Sequence, residues 1–169
     1  MANKYQTLES GKGQLKEATV SSTGVAEAGD IVALDTTGKL DPSLLPVGVG
    51  ADVKIAEASE NLSPGDYVNF WDDGGTEKVR LADNSNGRDA HGFVIAAVTS
   101  GSNATVYFEG SNANLSGLTA GQRVYLGVTG DIITTPLDPV TDAGKIHQFL
   151  GVAVDATTVN TDIDDCIGL

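Results

Sequence analysis

Two histidines, one cysteine and several close-set carboxylates are the residues of this 169-residue chain best suited to catalysis or metal binding. His91 follows Arg88-Asp89 and His147 follows Gly144-Lys145, each just ahead of an apolar run. No cysteine or carboxylate stands at ligand spacing beside both, so each reads as a residue at the start of a strand whose ring packs on a turn. Two histidines with the single Cys166 cannot assemble an ordinary structural zinc site, and one cysteine cannot close an intrachain disulfide. Asp72-Asp73 and Asp162-Asp164-Asp165 could offer several oxygens to calcium, yet neither has the spacing of a calcium loop. Aspartate in a glycine-containing hairpin is ordinary turn chemistry, and Asp162-Ile163-Asp164-Asp165 alternates like a solvated edge that blocks unwanted strand addition. Trp71, beside Tyr67 and Phe70, could line a sugar site, but the nine aromatics form no second cluster, and packing in a core or interface is the expectation. No Gly-x-Ser-x-Gly elbow and no glycine-rich phosphate loop is present. The sequence therefore predicts a chain that is not an enzyme, with no cofactor and no metal.

Charge narrows the partners. With 23 acidic against 10 basic side chains the formal charge is −13 at pH 7, which repels nucleic acid phosphates and makes nucleic acid an unsuitable ligand. No stretch approaches the 18 or so apolar residues that a membrane helix needs, and the N-terminus has no apolar signal core, so a soluble, unexported cytosolic product is expected. The distribution is uneven. Through Lys16 the chain carries Lys4, Lys12 and Lys16 against Glu9, a net +2, and everything after holds −15. That asymmetry points to an arm, residues 1–24, able to dock on something acidic, with Lys4, Lys12 and Lys16 as its candidate docking residues.

The elements that would carry such an arm are strands. From residue 25 onward short β-branched runs alternate with Gly, Asp, Asn and Pro every eight to twelve residues, the texture of an all-β domain. The exception is Leu40-Asp41-Pro42-Ser43-Leu44-Leu45-Pro46, where Asp41 can cap and Pro46 stops a short 3₁₀ or α turn. Strands are expected at Ile31-Val32-Ala33-Leu34, Val47-Gly48-Val49-Gly50, Val53-Lys54-Ile55-Ala56, Tyr67-Val68-Asn69-Phe70-Trp71, Lys78-Val79-Arg80-Leu81, the run from Phe93 to Val98 and the run from Ala104 to Glu109. The order then repeats. At an offset of 56, Pro64-Gly65-Asp66 lies over Ala120-Gly121-Gln122, Gly74 over Gly130, His91 over His147 and Phe93 over Phe149, without a gap. Gly29-Asp30-Ile31-Val32 matches Gly65-Asp66-Tyr67-Val68 at offset 36. One unit has too few strands to bury its own apolar face, so duplicated units must share a core. The expectation is a β-sandwich or small barrel built from duplicated units over residues 26–50, 62–106 and 118–162, one domain spanning 25–169 behind an extended N-terminal arm.

Residues 29–52, Ala90-His91-Gly92-Phe93-Val94, residues 104–110 and Gly151-Val152-Ala153-Val154-Asp155-Ala156-Thr157-Thr158 resemble small structural proteins of tailed bacteriophages, a likeness covering about residues 25–165. These are similar to capsid decoration, or cement, and head-fibre proteins. The resemblance implies an all-β protein that binds the outer surface of the capsid, is made in the host cytoplasm, bridges major capsid protein subunits and self-associates, a trimer being favoured. It also extends to parts of tail fibres. That alternative implies host-surface glycan contact through the polar loops 83–90 and 137–144.

Overall fold

The computed structural model of the chain describes residues 4–9, 12–22, 25–45 and 52–169. The expected strand 47–50 lies outside them. The described chain is all-β, with only two short 3₁₀ turns, Val25–Glu27 and Pro42–Leu44. It divides into two compact units, residues 1–50 and 51–169, where the sequence placed a single boundary after residue 24.

In the first unit β1 (Lys4–Glu9) and β2 (Lys12–Glu17) form an antiparallel hairpin with Lys4 opposite Glu17 and Glu9 opposite Lys12. In this stretch, read from the sequence as an extended arm, the facing backbone groups of the two strands pair with each other. Thr19 then bridges to the segment 31–33, its amide donating to Ile31 O at 2.9 Å and its carbonyl accepting from Ala33 N at 2.9 Å. That is a single bridge and not the strand expected at 31–34, because no ladder lies beyond Thr19. Short-range carboxylate bonds hold the rest. Asp35 accepts from Thr37 N at 2.8 Å and Lys39 N at 2.9 Å, and Asp41 caps its turn through Ser43 N at 2.9 Å.

The second unit contains a closed barrel and a five-stranded sheet. The barrel consists of β3 (Val53–Ala58), β4 (Tyr67–Asp73), β5 (Thr76–Leu81), β6 (Gly92–Phe93) and β7 (Asn103–Tyr107), in the order β3-β5-β4-β6-β7. The β3–β5 pairing is parallel and β3–β7 antiparallel, so no barrel strand is left as an edge. The sheet comprises β8 (Gly110–Asn112), β9 (Arg123–Leu126), β10 (Ile132–Ile133), β12 (Phe149–Ala153) and β13 (Val159–Thr161), ordered β10-β9-β12-β13-β8. Between β10 and β12, β11 (Ile146–His147) pairs with the terminal β14 (Ile167–Gly168). The expected strand 93–98 is shortened to β6, because residues 94 and 98 bond to the loop at 62–66 and not to a ladder.

The duplication is visible in this topology. β4 pairs with β5 and β6 as β9 pairs with β10 and β12. Each repeat opens on the same turn: Asp30 N donates to Glu27 O at 3.1 Å, Asp66 N to Ser63 O at 3.1 Å and Gln122 N to Thr119 O at 3.0 Å. The third residue is glycine at positive φ each time, 89° at Gly29, 98° at Gly65 and 84° at Gly121, as a type II turn requires. In the two longer repeats the fourth side chain closes the turn, Asp66 accepting from Ser63 N at 2.7 Å and Gln122 from Thr119 N at 3.2 Å.

Three cores result. Alternation along β4 sends Val68 into the barrel with Leu62, Val79, Val94 and Val106, and sends Tyr67 outward. Tyr67 meets Ala82, Ala90, Phe93, Leu126 and Leu150 in a core shared by barrel and sheet. The third core, Leu118, Val124, Ala153 and Val159, lies in the sheet's half. Each fully buried Val, Leu or Phe contributes about 1.5–3 kcal/mol. Polar ties cross the shared core. Gly130 donates its amide to Ala82 O at 2.6 Å and accepts from Tyr67 N at 2.8 Å, and a Cβ there would stand 2.8 Å from Leu81 Cδ2. Gln148, 3% exposed, accepts from Ala90 N at 2.7 Å and donates to Ala90 O and Asp164 O at 3.0 Å each.

Gln148→Leu keeps the volume but strands both Ala90 backbone groups, so urea unfolding of the variant should show a loss of about 2–4 kcal/mol; an unchanged midpoint would refute the cross-tie. Gly151 has φ 147°, and an added Cβ would lie 2.2 Å from Asn160 O. Gly151→Ala should therefore cost about 3 kcal/mol or more, read as a lowered Tm by calorimetry.

Candidate functional site

The hairpin places the three candidate lysines on two faces. Antiparallel register puts Lys12 and Lys16 on one face and Lys4, opposite Glu17, on the other. Lys4 Nζ lies 3.8 Å from Glu17, Lys16 is paired with Asp30, and Lys12 is exposed. Lys12 and Lys16 thus share a surface, from which Lys4 is excluded.

The second unit carries a trough made of three adjoining cavities. The central one, about 580 Å³, is lined by Phe70, His91 and Phe108 together with Asp162, Asp164 and Asp165. Phe70 and Phe108 are shared with a cavity of about 470 Å³ that Trp71 also lines, and Glu109, Thr161 and Asp162 with a third of about 480 Å³ that includes Asp52. Phe70 is the middle of a ring stack, 5.8 Å from Phe108 and 6.2 Å from His91. His91 is fixed by the Phe70 amide, which donates to its Nδ1 at 2.9 Å, and by Asp89, 3.2 Å from its Nε2. An Nδ1 that accepts leaves the neutral ring its proton on Nε2, facing Asp89. Trp71 is half-buried and not a core residue: its Nε1 donates to Ser59 Oγ at 3.3 Å and the Arg80 guanidinium lies 4.8 Å above its ring. Sequence reasoning missed the second aromatic. Phe108 is 38 residues from Phe70, and the two meet because β6 pairs with both β4 and β7.

The remaining candidates serve structure. His147 stacks on Tyr125 at 4.7 Å, and each histidine belongs to the packing of its own repeat. Asp72 accepts from Gly75 N at 3.0 Å and Asp73 pairs with Lys78 at 3.0 Å, the turn chemistry expected of them. Cys166 is exposed. Among the described residues no group of three or more His, Cys, Asp or Glu could hold a metal ion. No helix among them is long and apolar enough to cross a membrane. Loop 83–90 does not stand free. Asp83 and Asn84 are 7% and 3% exposed, and Asn84 Nδ2 donates to Leu126 O at 2.7 Å. Asp83 accepts from Ser85 N at 2.8 Å and from Thr129 N at 3.2 Å, a residue held at φ 51°. Loop 137–144 is turned by Asp138, which accepts from Val140 N and Thr141 N at 2.8 and 3.0 Å.

No family model matches the chain, and no curated protein matches it. Among solved structures it is similar to the N base of the head fibre gp8.5 of bacteriophage phi29, at 15% identity and a TM-score of 0.46, over 68% of this chain and 95% of that one.

Burial pushes the Asp83 carboxyl up, but the hydroxyl and amide of Ser85, the Thr129 amide and the Arg88 charge outweigh it and hold it below the usual carboxylate range. A carboxyl so lowered stabilises the fold at neutral pH, and that contribution is lost as pH falls from about 4 through the folded value. Asp83→Asn should cost about 1–3 kcal/mol at pH 7, with the gap to the parent narrowing as pH falls below about 4 in urea titrations. A gap independent of pH would mean that the charge contributes nothing.

Proposed function

We propose that this chain is a non-enzymatic structural protein of a tailed-phage virion that binds the outer surface of the capsid through its first 50 residues. Bound copies stabilise the shell by bridging neighbouring major capsid protein subunits. The observation that carries the reading is the contrast between the two units. Among the described residues of the first 50 none is buried, yet Leu15, Val25, Ile31, Val32, Leu34 and Leu40 are 47–92% exposed. A segment this short without a core needs a surface to cover it. The second unit closes three cores of its own.

Charge agrees with the division. The first 50 residues hold four lysines and six carboxylates, a net −2 of the chain's −13, leaving −11 on residues 51–169. A near-neutral, apolar unit suits contact with a protein shell, and a strongly acidic one suits exposure to solvent, away from packaged DNA. The sequence resemblance to decoration and head-fibre proteins supplies the kind of shell. Lys12 and Lys16, on one face of the hairpin, would meet acidic shell groups, and the outer edges of β1 and β2 could add strand contacts. Copies would self-associate, the resemblance favouring a trimer. Many weak bridges acting together oppose the outward pressure of packaged DNA.

Co-sedimentation with shells lacking the protein tests this. Saturable binding and later rupture on heating are expected. The full chain carrying Lys12→Glu, Leu15→Asp and Val25→Asp should bind at least about tenfold more weakly with its thermal unfolding unchanged. Undiminished binding by this variant would refute docking through the first unit. Binding without a shift in rupture would keep the location and replace the stabilising role with that of a fibre base.

A further inference from the structure

The carboxylates of the second unit fall into two groups. Twelve of its 17 accept a hydrogen bond or an ion pair: Glu57 and Asp73 from Lys78, Glu77 from Lys54, Asp66 from Ser63 N, Asp155 from Thr157 N, and so on round the surface. Five have no such partner among the described residues, namely Asp52, Glu109, Asp162, Asp164 and Asp165. All five line the central and third cavities of the trough, although they come from three separate stretches of chain. Asp89 adds a sixth carboxylate, and no lysine or arginine lines either of these two cavities.

We propose that this trough binds an extended basic segment of a partner protein, taking its lysine or arginine side chains against the unpartnered carboxylates. The acceptor-rich walls select a donor that carries positive charge. Gln148 and Thr161, the neutral polar side chains that could face a sugar in the central cavity, are 97% and 96% buried and already bonded, to Ala90 and Tyr67. The cation is not a single ion, since no three acidic or histidine side chains among the described residues converge closely enough to hold one. Three adjoining cavities of about 470–580 Å³ instead suit charges spaced along a chain. The Phe70–Phe108 pair lies at the junction of two of them and offers apolar surface to the aliphatic stems of such side chains. The site is built from residues 51–169 and does not depend on the shell-docking reading.

Trp71, the single tryptophan, lines one end of the trough and supplies the signal. Titration of the full chain with capped pentalysine, followed by Trp71 fluorescence and by calorimetry, should give saturable binding that weakens with salt. Asp162→Asn with Asp164→Asn and Asp165→Asn, all at exposed positions, should weaken it about tenfold. The charge-matched control Glu17→Gln with Glu57→Gln and Asp131→Asn should stay within about twofold of the parent. Equal weakening in both triple variants would overturn the proposal, showing attraction to net charge alone. So would no binding at millimolar peptide, an equivalent saturable response to Ca²⁺ alone, or binding of uncharged maltohexaose in place of the peptide.

Discussion

The second unit depends on one close approach, the main chain of Gly130 set between Tyr67 N and Ala82 O. These two bonds tie the turn after β9 to the barrel between β4 and β5, and they exist because no side chain separates the strands at Gly130. With the approach in place, Tyr67, Phe93, Leu126 and Leu150 share one dry layer. Without it each half would expose an apolar face that it has too few strands to cover. Asn112 and Gln148 extend the same logic, because both are buried and both satisfy backbone groups of the opposite half, Gly65 O and the Ala90 amide and carbonyl. The sheet thus serves as the outer wall of the barrel's second layer.

Much of this was legible in the residues, because turn chemistry is local. Gly29, Gly65 and Gly121 mark three copies of one turn, and their spacing exposes the duplication before any coordinate is known. The Asp41 cap and the Asp72 hairpin follow from side chains that bond two or three residues away. The all-β class follows from the same periodicity, which left a sandwich and a small barrel both open. What failed to show was long-range or depended on a missing neighbour. Residues 31–34 have strand composition but only Thr19 to pair with, and residues 4–17 have arm-like composition but pair with each other. The trough was invisible for a related reason: Asp52, Phe70, Glu109 and Asp162 lie far apart in sequence, and only the closed barrel with β13 alongside assembles them. Sequence reasoning weighed Asp162, Asp164 and Asp165 as a cluster by themselves and had no means to see the aromatic rings that line the same cavity.

The two units divide the physical labour. Residues 51–169 bury 19 hydrophobic side chains and satisfy most of their carboxylates internally. The described residues of the first 50 are held by carboxylate-to-amide bonds that fix the turns at Asp35 and Asp41 and by the Lys16–Asp30 pair, and none of them is buried. Bonds of this kind fix the shape of a surface before any contact, which is what the proposed docking requires if it is to cost less ordering than a slack chain would.

The parallel pairing of β3 with β5 also sets an order of events in folding. β4 and β5 are joined by a tight turn and can zip together alone, but β3 finds its place only once β5 is laid down and β7, some 50 residues downstream, has arrived to flank it on the other side. During synthesis the segment 53–58 must therefore wait, its alternating apolar face open, until residue 107 has left the ribosome. Its sequence, Val-Lys-Ile-Ala-Glu-Ala, places Lys54 and Glu57 within that waiting strand, and charges at those two points guard it against pairing with its copy on a neighbouring nascent chain.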